Sequence, residues 1–193
     1  MDKIFYLTFD GAVDPPHTLD ILEQLERYDI RATFFVEGHR IAGHEQTLRE
    51  MIATGHHLGN HSFTHPDFST LSLPQCQEEI RRCDEALYQA TGLRTKLLRP
   101  PCGILLPEQR KCFEDMGYKI SLWSISVKDW LGPDADAVVQ RTIDLAREEQ
   151  VVAVYHDFME TTAETVKKIV PQLLDKGYRF EPVPYPPETA KNL

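Results

Sequence analysis

The sequence predicts an α/β fold in which short buried strands alternate with amphipathic helices around a parallel sheet. Two observations support this class. Apolar runs recur with helical segments between them, and no repeat, linker or low-complexity stretch interrupts the alternation. The 193 residues are enough to bury one sizeable core, so we predict a single domain over residues 1–193. An open doubly wound sheet and an incomplete barrel both fit this alternation.

The first part of the chain carries clear strand and helix signals. Residues 4–9 form an apolar run that ends at Asp10-Gly11, and they predict the first strand. The helix that follows runs to about residue 28 and places three leucines on one face, Leu19, Leu22 and Leu25. Residues 32–36 predict a fully buried strand, because they are β-branched and aromatic without polar alternation.

The remaining elements follow from periodicity and from helix end signals. Ser72-Leu73-Pro74 predicts the start of a long helix, and Gly92 predicts its end. Pro171 is expected to bend the last helix or to mark its exposed side. The other predicted strands are residues 57–60, 96–99, 119–124, 151–155 and 178–183. With these two, the helices predicted after the first are residues 44–53, 72–91, 107–116, 134–149 and 162–176.

Composition limits the classes of function. Apolar residues make up 41% and charged residues 26% of the chain, as in ordinary globular proteins. A net charge of −9 argues against nucleic acid as a partner, because binding to phosphates needs a basic surface. No apolar run is long enough for membrane insertion, and residues 4–7 are too short for a signal-peptide core. We therefore expect a cytoplasmic protein of unspecified oligomeric state.

The 4 cysteines do not indicate a disulfide framework in a chain of this length. Cys76 and Cys83 fall in one predicted helix with a rise of about 10.5 Å between them, too far apart to bond. We expect free buried thiols at Cys76, Cys83 and Cys112.

Polar residues gather after the predicted strands, where parallel sheets place their functional groups. They are Asp10, His61, His65, Arg99, Asp129, Trp130, His156 and Asp157. His61 and His65 are four residues apart in a predicted short helical turn, so both imidazoles can bind one metal ion. Neutral imidazoles suit zinc, cobalt or nickel. Histidine ligands, a carboxylate base and a histidine acid are the groups that metal-assisted hydrolysis of an amide or ester requires.

Five short motifs, in this order, resemble those of the NodB-type polysaccharide deacetylases, carbohydrate esterase family 4. They are Thr8-Phe9-Asp10-Gly11, His61-Ser62-Phe63-Thr64-His65, Arg99-Pro100-Pro101-Cys102-Gly103, Ser126-Val127-Lys128-Asp129-Trp130 and Tyr155-His156-Asp157. The resemblance covers almost the whole chain and implies a distorted (β/α)₇-type barrel. It also implies a carbohydrate substrate.

The resemblance implies roles for eight residues. Asp10 is the general base, Arg99 pairs with Asp10, and His61 and His65 hold a divalent metal. The other four complete the expected site: Cys102 contributes its backbone N–H, His156 is the general acid, Asp129 raises the pKa of His156, and Trp130 forms a wall of the sugar-binding groove.

Three positions depart from the family pattern. Gly11 replaces the Asp that normally serves as the third protein ligand, so occupancy by metal is an open question. Movement of Asp10 or Asp14 to the metal is an alternative. Ser126 replaces the first Asp of the fourth motif, and Ala153 replaces a Leu that lines the acetyl pocket. The smaller Ala153 predicts acceptance of an acyl group larger than acetyl.

The leading prediction is a metal-dependent hydrolase of carbon–nitrogen bonds in N-acetylated amino sugars. Two alternatives stay open at this point. One is a metal-independent amidase that resembles the allantoinase-like branch of the superfamily. The other is a non-catalytic carbohydrate-binding relic of the fold.

Overall fold

The structure is a computed structural model that describes residues 3–11, 13 and 15–186. The chain divides into two compact units. The first unit comprises Met1–Phe34 and Trp123–Val183, and the second comprises Phe35–Leu122 and Pro184–Leu193. The single domain over residues 1–193 stays a prediction.

Strands and helices alternate along most of the described chain, as predicted. The strands are β1 (Lys3–Gly11), β2 (Thr33–Val36), β3 (His57–Asn60), β4 (Leu97–Leu98), β5 (Lys119–Ile120), β6 (Ile125–Ser126), β7 (Gln150–His156) and β8 (Tyr178–Phe180). The helices are α1 (His17–Arg27), α2 (Glu45–Ala53), α3 (Leu73–Thr91), α4 (Pro107–Asp115), α5 (Ala135–Leu145) and α6 (Thr162–Asp175). Within the described helices, none is both long and apolar enough to cross a membrane.

The first unit is built on a parallel arrangement around β1. Strand β1 pairs with β7 from Ile4↔Gln150 to Asp10↔His156, and β8 pairs with β1. Strand β6 pairs with β7 in the same sense. Phe5, Leu7 and Phe9 are fully buried, so β1 belongs to the core and its last residues are held in a fixed register.

The second unit has strands β4 and β5 in parallel, with β3 on the other side of β4. Helices α2 and α3 pack together, and α3 also contacts α4. A core cluster fills the space under α3 and α4: Phe68, Cys76, Ile80, Leu98, Phe113 and Tyr118. This core positions the end of β3, from which the predicted histidine pair emerges.

Three local predictions were wrong in detail. Leu19 is 46% exposed, and the residues of α1 that are buried are Thr18, Ile21 and Leu25. Of the predicted strand 119–124, only Lys119–Ile120 forms a strand, β5, which pairs with β4; the next strand, β6, begins at Ile125 and pairs with β7. The thiol of Cys112 is only partly buried, whereas Cys76 and Cys83 are buried as expected.

Candidate active site

An acid–base pair in the first unit centres on His156, at the end of β7. Asp129 Oδ1 lies 2.8 Å from His156 Nδ1, and Asp129 Oδ2 accepts a hydrogen bond of 2.6 Å from the His156 backbone N–H. Asp129 is only 1% exposed. Because this buried carboxylate binds Nδ1–H, the imidazole is oriented and its Nε2 is the nitrogen left for proton transfer. The predicted partnership of Asp129 and His156 is present.

The charges around His156 favour the protonated form of its imidazole. Burial alone lowers the pKa of His156. The hydrogen bond and charge of Asp129 raise this pKa, and so do the charges of Asp10 and Asp157. Together these groups raise the pKa above its ordinary value. A protonated imidazole is the form that a general acid needs.

Asp10 is brought next to this pair by the strand register. It is buried and is the ladder partner of His156 in the β1–β7 pairing. Asp10 and His156 were each predicted at the end of a strand, and the structure pairs those two strands; their roles as base and acid stay predictions. The pairing of Asp10 with Arg99 stays a prediction.

Two aromatic rings flank His156. The Trp130 ring lies 5.3 Å from the His156 ring, at 75°, and Trp130 is 45% exposed. The Phe158 ring also lies 5.3 Å away, on a residue that sequence reasoning did not select. Its position directly after the fifth motif is the signal that could have identified it. An exposed indole beside the acid provides the flat apolar face that the prediction assigns to Trp130.

Gly11 has a physical reason to be glycine in this chain. Its φ is +110°, which L side chains rarely adopt, and an added Cβ would lie 2.9 Å from Phe158 Cδ1. The same Cβ would lie 3.2 Å from Asp157 Oδ1. Asp157 is itself fixed, because Thr18 Oγ1 donates to its Oδ2 at 2.6 Å. The space of the missing Asp side chain is therefore already taken by Phe158 and Asp157.

The histidine pair of the second unit lies in a loop and not in a helical turn. Ser62 and His65 both have positive φ, 67° and 56°. The Ser62 N–H donates to Asn60 Oδ1 at 2.8 Å, and the His65 N–H donates to Ser62 Oγ at 3.0 Å. The prediction of a helical turn was wrong because these side chains bind the loop backbone in place of helical hydrogen bonds.

The two imidazoles nevertheless fit a shared metal ion. Their ring centroids are 4.9 Å apart at an interplanar angle of 67°. Two imidazoles that bind one zinc at about 2.1 Å, with a roughly tetrahedral angle, place their centroids about 5 Å apart. His61 Nδ1 lies 2.8 Å from the Arg99 backbone oxygen, which puts the proton on Nδ1 and the lone pair on Nε2. His61 therefore has the tautomer of a metal ligand.

Helix α3 fixes two of the three residues between the histidines, Phe63 and Thr64. Glu79 Oε2 accepts from the Phe63 N–H at 3.0 Å and from the Thr64 N–H at 2.7 Å, and Glu79 Oε1 accepts from Thr64 Oγ1 at 3.1 Å. One turn further along α3, the Arg82 guanidinium lies 3.8 Å from the centroid of the Phe63 ring. We call Glu79 and Arg82 the α3 clamp. Sequence reasoning did not find it, although Glu79 is a carboxylate on the buried face of a helix.

A second polar network supports the end of β3. The Asn60 amide donates to Asp84 Oδ1 at 2.8 Å, and the Tyr118 hydroxyl donates to the other carboxylate oxygen of Asp84. Burial raises the pKa of Asp84, although both hydrogen bonds act in the opposite direction. Since Asn60 also binds Ser62, this network connects the core of the second unit to the histidine loop.

Arg99 and Cys102 follow β4 in the same unit. Arg99 is fully buried, its Nε donates to the Ser121 oxygen at 2.9 Å, and its guanidinium lies 4.0 Å from the Phe35 ring centroid. Cys102 is exposed with φ 55° in the turn that follows. The contribution of the Cys102 N–H to substrate binding stays a prediction.

The described residues contain no group of three or more His, Cys, Asp or Glu side chains that could hold a metal ion. The histidine pair supplies two imidazole ligands, and Gly11 supplies none. The alternative ligand Asp14 lies outside the described residues. The described residues therefore offer a metal ion two imidazole ligands, and no third His, Cys, Asp or Glu among them completes the group.

The chain is similar to known proteins. Residues 1–121 match the family model for polysaccharide deacetylase. The chain is 32% identical to the peptidoglycan-N-acetylmuramic acid deacetylase PdaC of Bacillus subtilis, over 98% of this chain and 40% of that protein. The chain thus spans about two fifths of the length of that relative.

Two solved structures are also similar. The Bc1960 peptidoglycan N-acetylglucosamine deacetylase has a TM-score of 0.90 and 29% identity, over 93% of this chain and 86% of that one. BA3943 of Bacillus anthracis, described as a CE4 family pseudoenzyme, has a TM-score of 0.88 and 25% identity, over 94% of this chain and 64% of that one. The predicted distorted (β/α)₇-type barrel is confirmed by these likenesses. Because the family model matches more than half of this chain, the chain belongs to the polysaccharide deacetylase family.

Proposed function

We propose that the chain hydrolyses the acetamido group of an N-acetylated amino sugar, releasing acetate and a free amine. The observation that carries the proposal is the Asp129–His156 pair beside the buried Asp10, because binding a sugar does not need an imidazole that one carboxylate orients next to a second carboxylate. Similarity to the peptidoglycan deacetylases supports the same substrate class.

The residues of the chain divide the reaction between them. Asp10 accepts the proton of the attacking water as its oxygen bonds to the acetyl carbon. His156 gives its Nε2 proton to the sugar nitrogen as the carbon–nitrogen bond breaks, and Asp129 stabilises the imidazolium until then. Trp130 offers its exposed face to a pyranose ring.

The cofactor of this proposal is a divalent ion held by His61 and His65. When bound, it supplies Lewis-acid polarisation of the acetyl carbonyl and of water. Neutral imidazole ligands favour zinc, cobalt or nickel over magnesium or calcium. With two protein ligands, we expect weaker binding than in a site with a third carboxylate.

A titration with chelator and metal tests the proposal. Hydrolysis of N-acetylated chitooligosaccharides is measured after chelation and again after zinc, cobalt or nickel is added, with His61→Ala as the matched variant. The proposal is supported if chelator abolishes the activity of the wild type and added metal restores it, while added metal restores no activity in His61→Ala. Activity that chelator leaves unchanged, especially on ureide amides, would favour the metal-independent amidase.

One observation favours a second candidate, a non-catalytic carbohydrate-binding protein. Gly11 lacks the carboxylate that would bind the metal, and Phe158 occupies the space that a side chain at this position would need. The similar BA3943 is described as a pseudoenzyme. Saturable binding of chitooligosaccharides without turnover, in the presence of each metal, would support this candidate and refute the hydrolase.

A further inference from the structure

A cavity of the first unit lies between strand β6, the segment that follows it and helix α5. It has a volume of about 410 Å³, within the range of small-molecule sites. Its lining residues are Ser124, Ile125, Ser126, Lys128, Arg141 and Leu145. All of them belong to the first unit, and none has a role in the proposed hydrolysis.

The walls of this cavity are held in place by contacts with β7. Strand β6 pairs with β7, and Ser126 is the ladder partner of Val154. Helix α5 is attached to the same strand, because the hydroxyls of Thr142 and Tyr155 lie 2.8 Å apart and both residues are fully buried. Arg141 directly precedes Thr142 on this helix. The cavity is therefore formed in advance of any ligand.

Both cations of the cavity are without a carboxylate partner in the part of the chain that the structure describes. Arg141 Nη1 donates to the Val127 oxygen at 2.8 Å, which fixes the guanidinium at the cavity and leaves its other N–H groups for a ligand. Lys128 is exposed, and its Nζ makes no ion pair with a described residue. In contrast, Lys168 on α6 lies 2.9 Å from a carboxylate oxygen of Asp136. The lining thus carries two positive charges that no described carboxylate neutralises.

The rest of the lining is neutral and partly apolar. It contains no Asp or Glu. Asp129, which follows Lys128 in the sequence, directs both carboxylate oxygens to His156. Ile125 is buried and Leu145 is 42% exposed, so the cations have an apolar wall beside them. The complementary ligand is an anion of high charge, with room for a small apolar group.

Ser126 adds a hydroxyl that the protein itself does not use. Its Oγ is buried and has no hydrogen-bond partner among the described residues. The other serine of the lining is different, because Ser124 Oγ accepts a hydrogen bond of 3.0 Å from the Val152 N–H. A buried hydroxyl without a partner costs free energy, and an oxygen of a ligand in the cavity would supply the missing acceptor.

We propose that this cavity binds a phosphate group, either as free phosphate or as the monoester of a small organic molecule. Such a group carries a charge of about −1.5 to −2 at neutral pH and has oxygens that accept several hydrogen bonds. Its charge balances Arg141 and Lys128, the guanidinium matches two of its oxygens, and the Ser126 hydroxyl donates to a third. A carboxylate has one charge and two oxygens and fits this donor set less well. The inference does not depend on the proposed hydrolysis.

The test is a calorimetric titration of the protein with inorganic phosphate, with phenyl phosphate and with benzoate. The protein is first dialysed free of metal and of chelator, so that neither a metal-bound phosphate nor a carboxylate chelator interferes. We expect saturable binding of a phosphate compound and weaker binding of benzoate. Tighter binding of phenyl phosphate than of inorganic phosphate would support a monoester that also contacts Leu145, whereas equal affinity would support free phosphate.

Three substitutions each remove one proposed donor: Arg141→Gln, Lys128→Gln and Ser126→Ala. Loss of a charged donor should weaken phosphate binding by about 10- to 100-fold. Lys111→Gln on α4, an exposed lysine paired with Asp115, is the control and should bind as the wild type does. Ser126→Ala should weaken binding without lowering thermal stability, because its hydroxyl makes no hydrogen bond with a described residue.

Two further measurements complete the test. Thermal unfolding verifies that each variant is folded, and NMR records the backbone amide shifts during the phosphate titration. Shifts centred on residues 124–128 and 141–145 support the site. The proposal would be overturned by absence of saturable phosphate binding, by benzoate binding as tight as that of both phosphate compounds, or by wild-type affinity in all three cavity variants.

Discussion

The α3 clamp makes a sharp prediction about the histidine loop. In Glu79→Ala the backbone N–H groups of Phe63 and Thr64 lose their acceptor. Each unsatisfied buried donor costs about 1–3 kcal/mol, and we take the lower part of this range because Thr64 is exposed to water. With about 1 kcal/mol for each of the two donors, the conformation of the loop should lose about 2 kcal/mol relative to open forms, roughly 30-fold in population.

This loss should appear as weaker metal binding. The apparent dissociation constant of the metal rises in inverse proportion to the fraction of molecules whose loop can bind it. Loss of a residue that orients metal ligands typically costs about 10- to 100-fold in affinity, and we expect this range for Glu79→Ala. Glu79→Gln should retain most of the affinity, because its amide oxygen can still accept from both N–H groups and its amide nitrogen can donate to Thr64 Oγ1.

Zinc and cobalt affinities are measured by calorimetry, and exchange of the Phe63 and Thr64 amide protons by NMR. Glu78→Ala is the control, because the Glu78 carboxylate is exposed and its hydrogen bonds with described residues go to Arg81, away from the loop. Wild-type affinity and unchanged amide exchange in Glu79→Ala would refute the reasoning. Amide exchange decides the role of the clamp even in a protein that binds no metal.

Three further predictions concern the first unit. Asp129→Asn should lower the pKa of His156 and move the alkaline limb of the kcat/KM–pH profile to lower pH, because the acid form is lost as pH rises through this pKa; an unmoved limb would exclude His156 as the acid. Gly11→Asp should lower the free energy of unfolding by about 1–3 kcal/mol, and adding Phe158→Ala should recover part of it; urea unfolding at wild-type stability would contradict the steric account. Ala153→Leu should lower the ratio of butyryl to acetyl turnover, and an unchanged ratio would remove this position from the acyl pocket.

Local patterns predicted the elements whose signals are local. The long helix α3 begins after Ser72, whose N–H donates to Gln75, and it ends at Gly92 with φ 78°. The buried strands β1 and β7 were found because a strand covered on both faces must be apolar along its length. These elements depend little on residues far away in the sequence.

The wrong predictions concern segments that distant residues control. The loop from His61 to His65 is shaped by Glu79, which no spacing rule connects to it. By contrast, helix α6 contains Pro171 in its interior, as the sequence predicted. The carbonyl of Lys167, which loses its helical donor there, accepts from the Tyr28 hydroxyl at 3.4 Å.

Identifying the candidate catalytic groups needed more than periodicity. Spacing identified polar residues at strand ends, but the pairing of Asp129 with His156 followed only from the resemblance to the family, which the comparisons confirmed. Neither source identified Phe158 as the neighbour of Gly11, because that contact depends on the path of the chain after β7.

The pairing of the first strand with β7 has a consequence for synthesis on the ribosome. Thr8 Oγ1 donates to the oxygen of Ala153, which is 145 residues later in the chain. At about 5–20 residues per second, β1 leaves the ribosome roughly 7–30 s before this partner exists. During that interval an apolar strand lacks its final neighbour, so we expect the nascent chain to depend on chaperones more than its small size suggests.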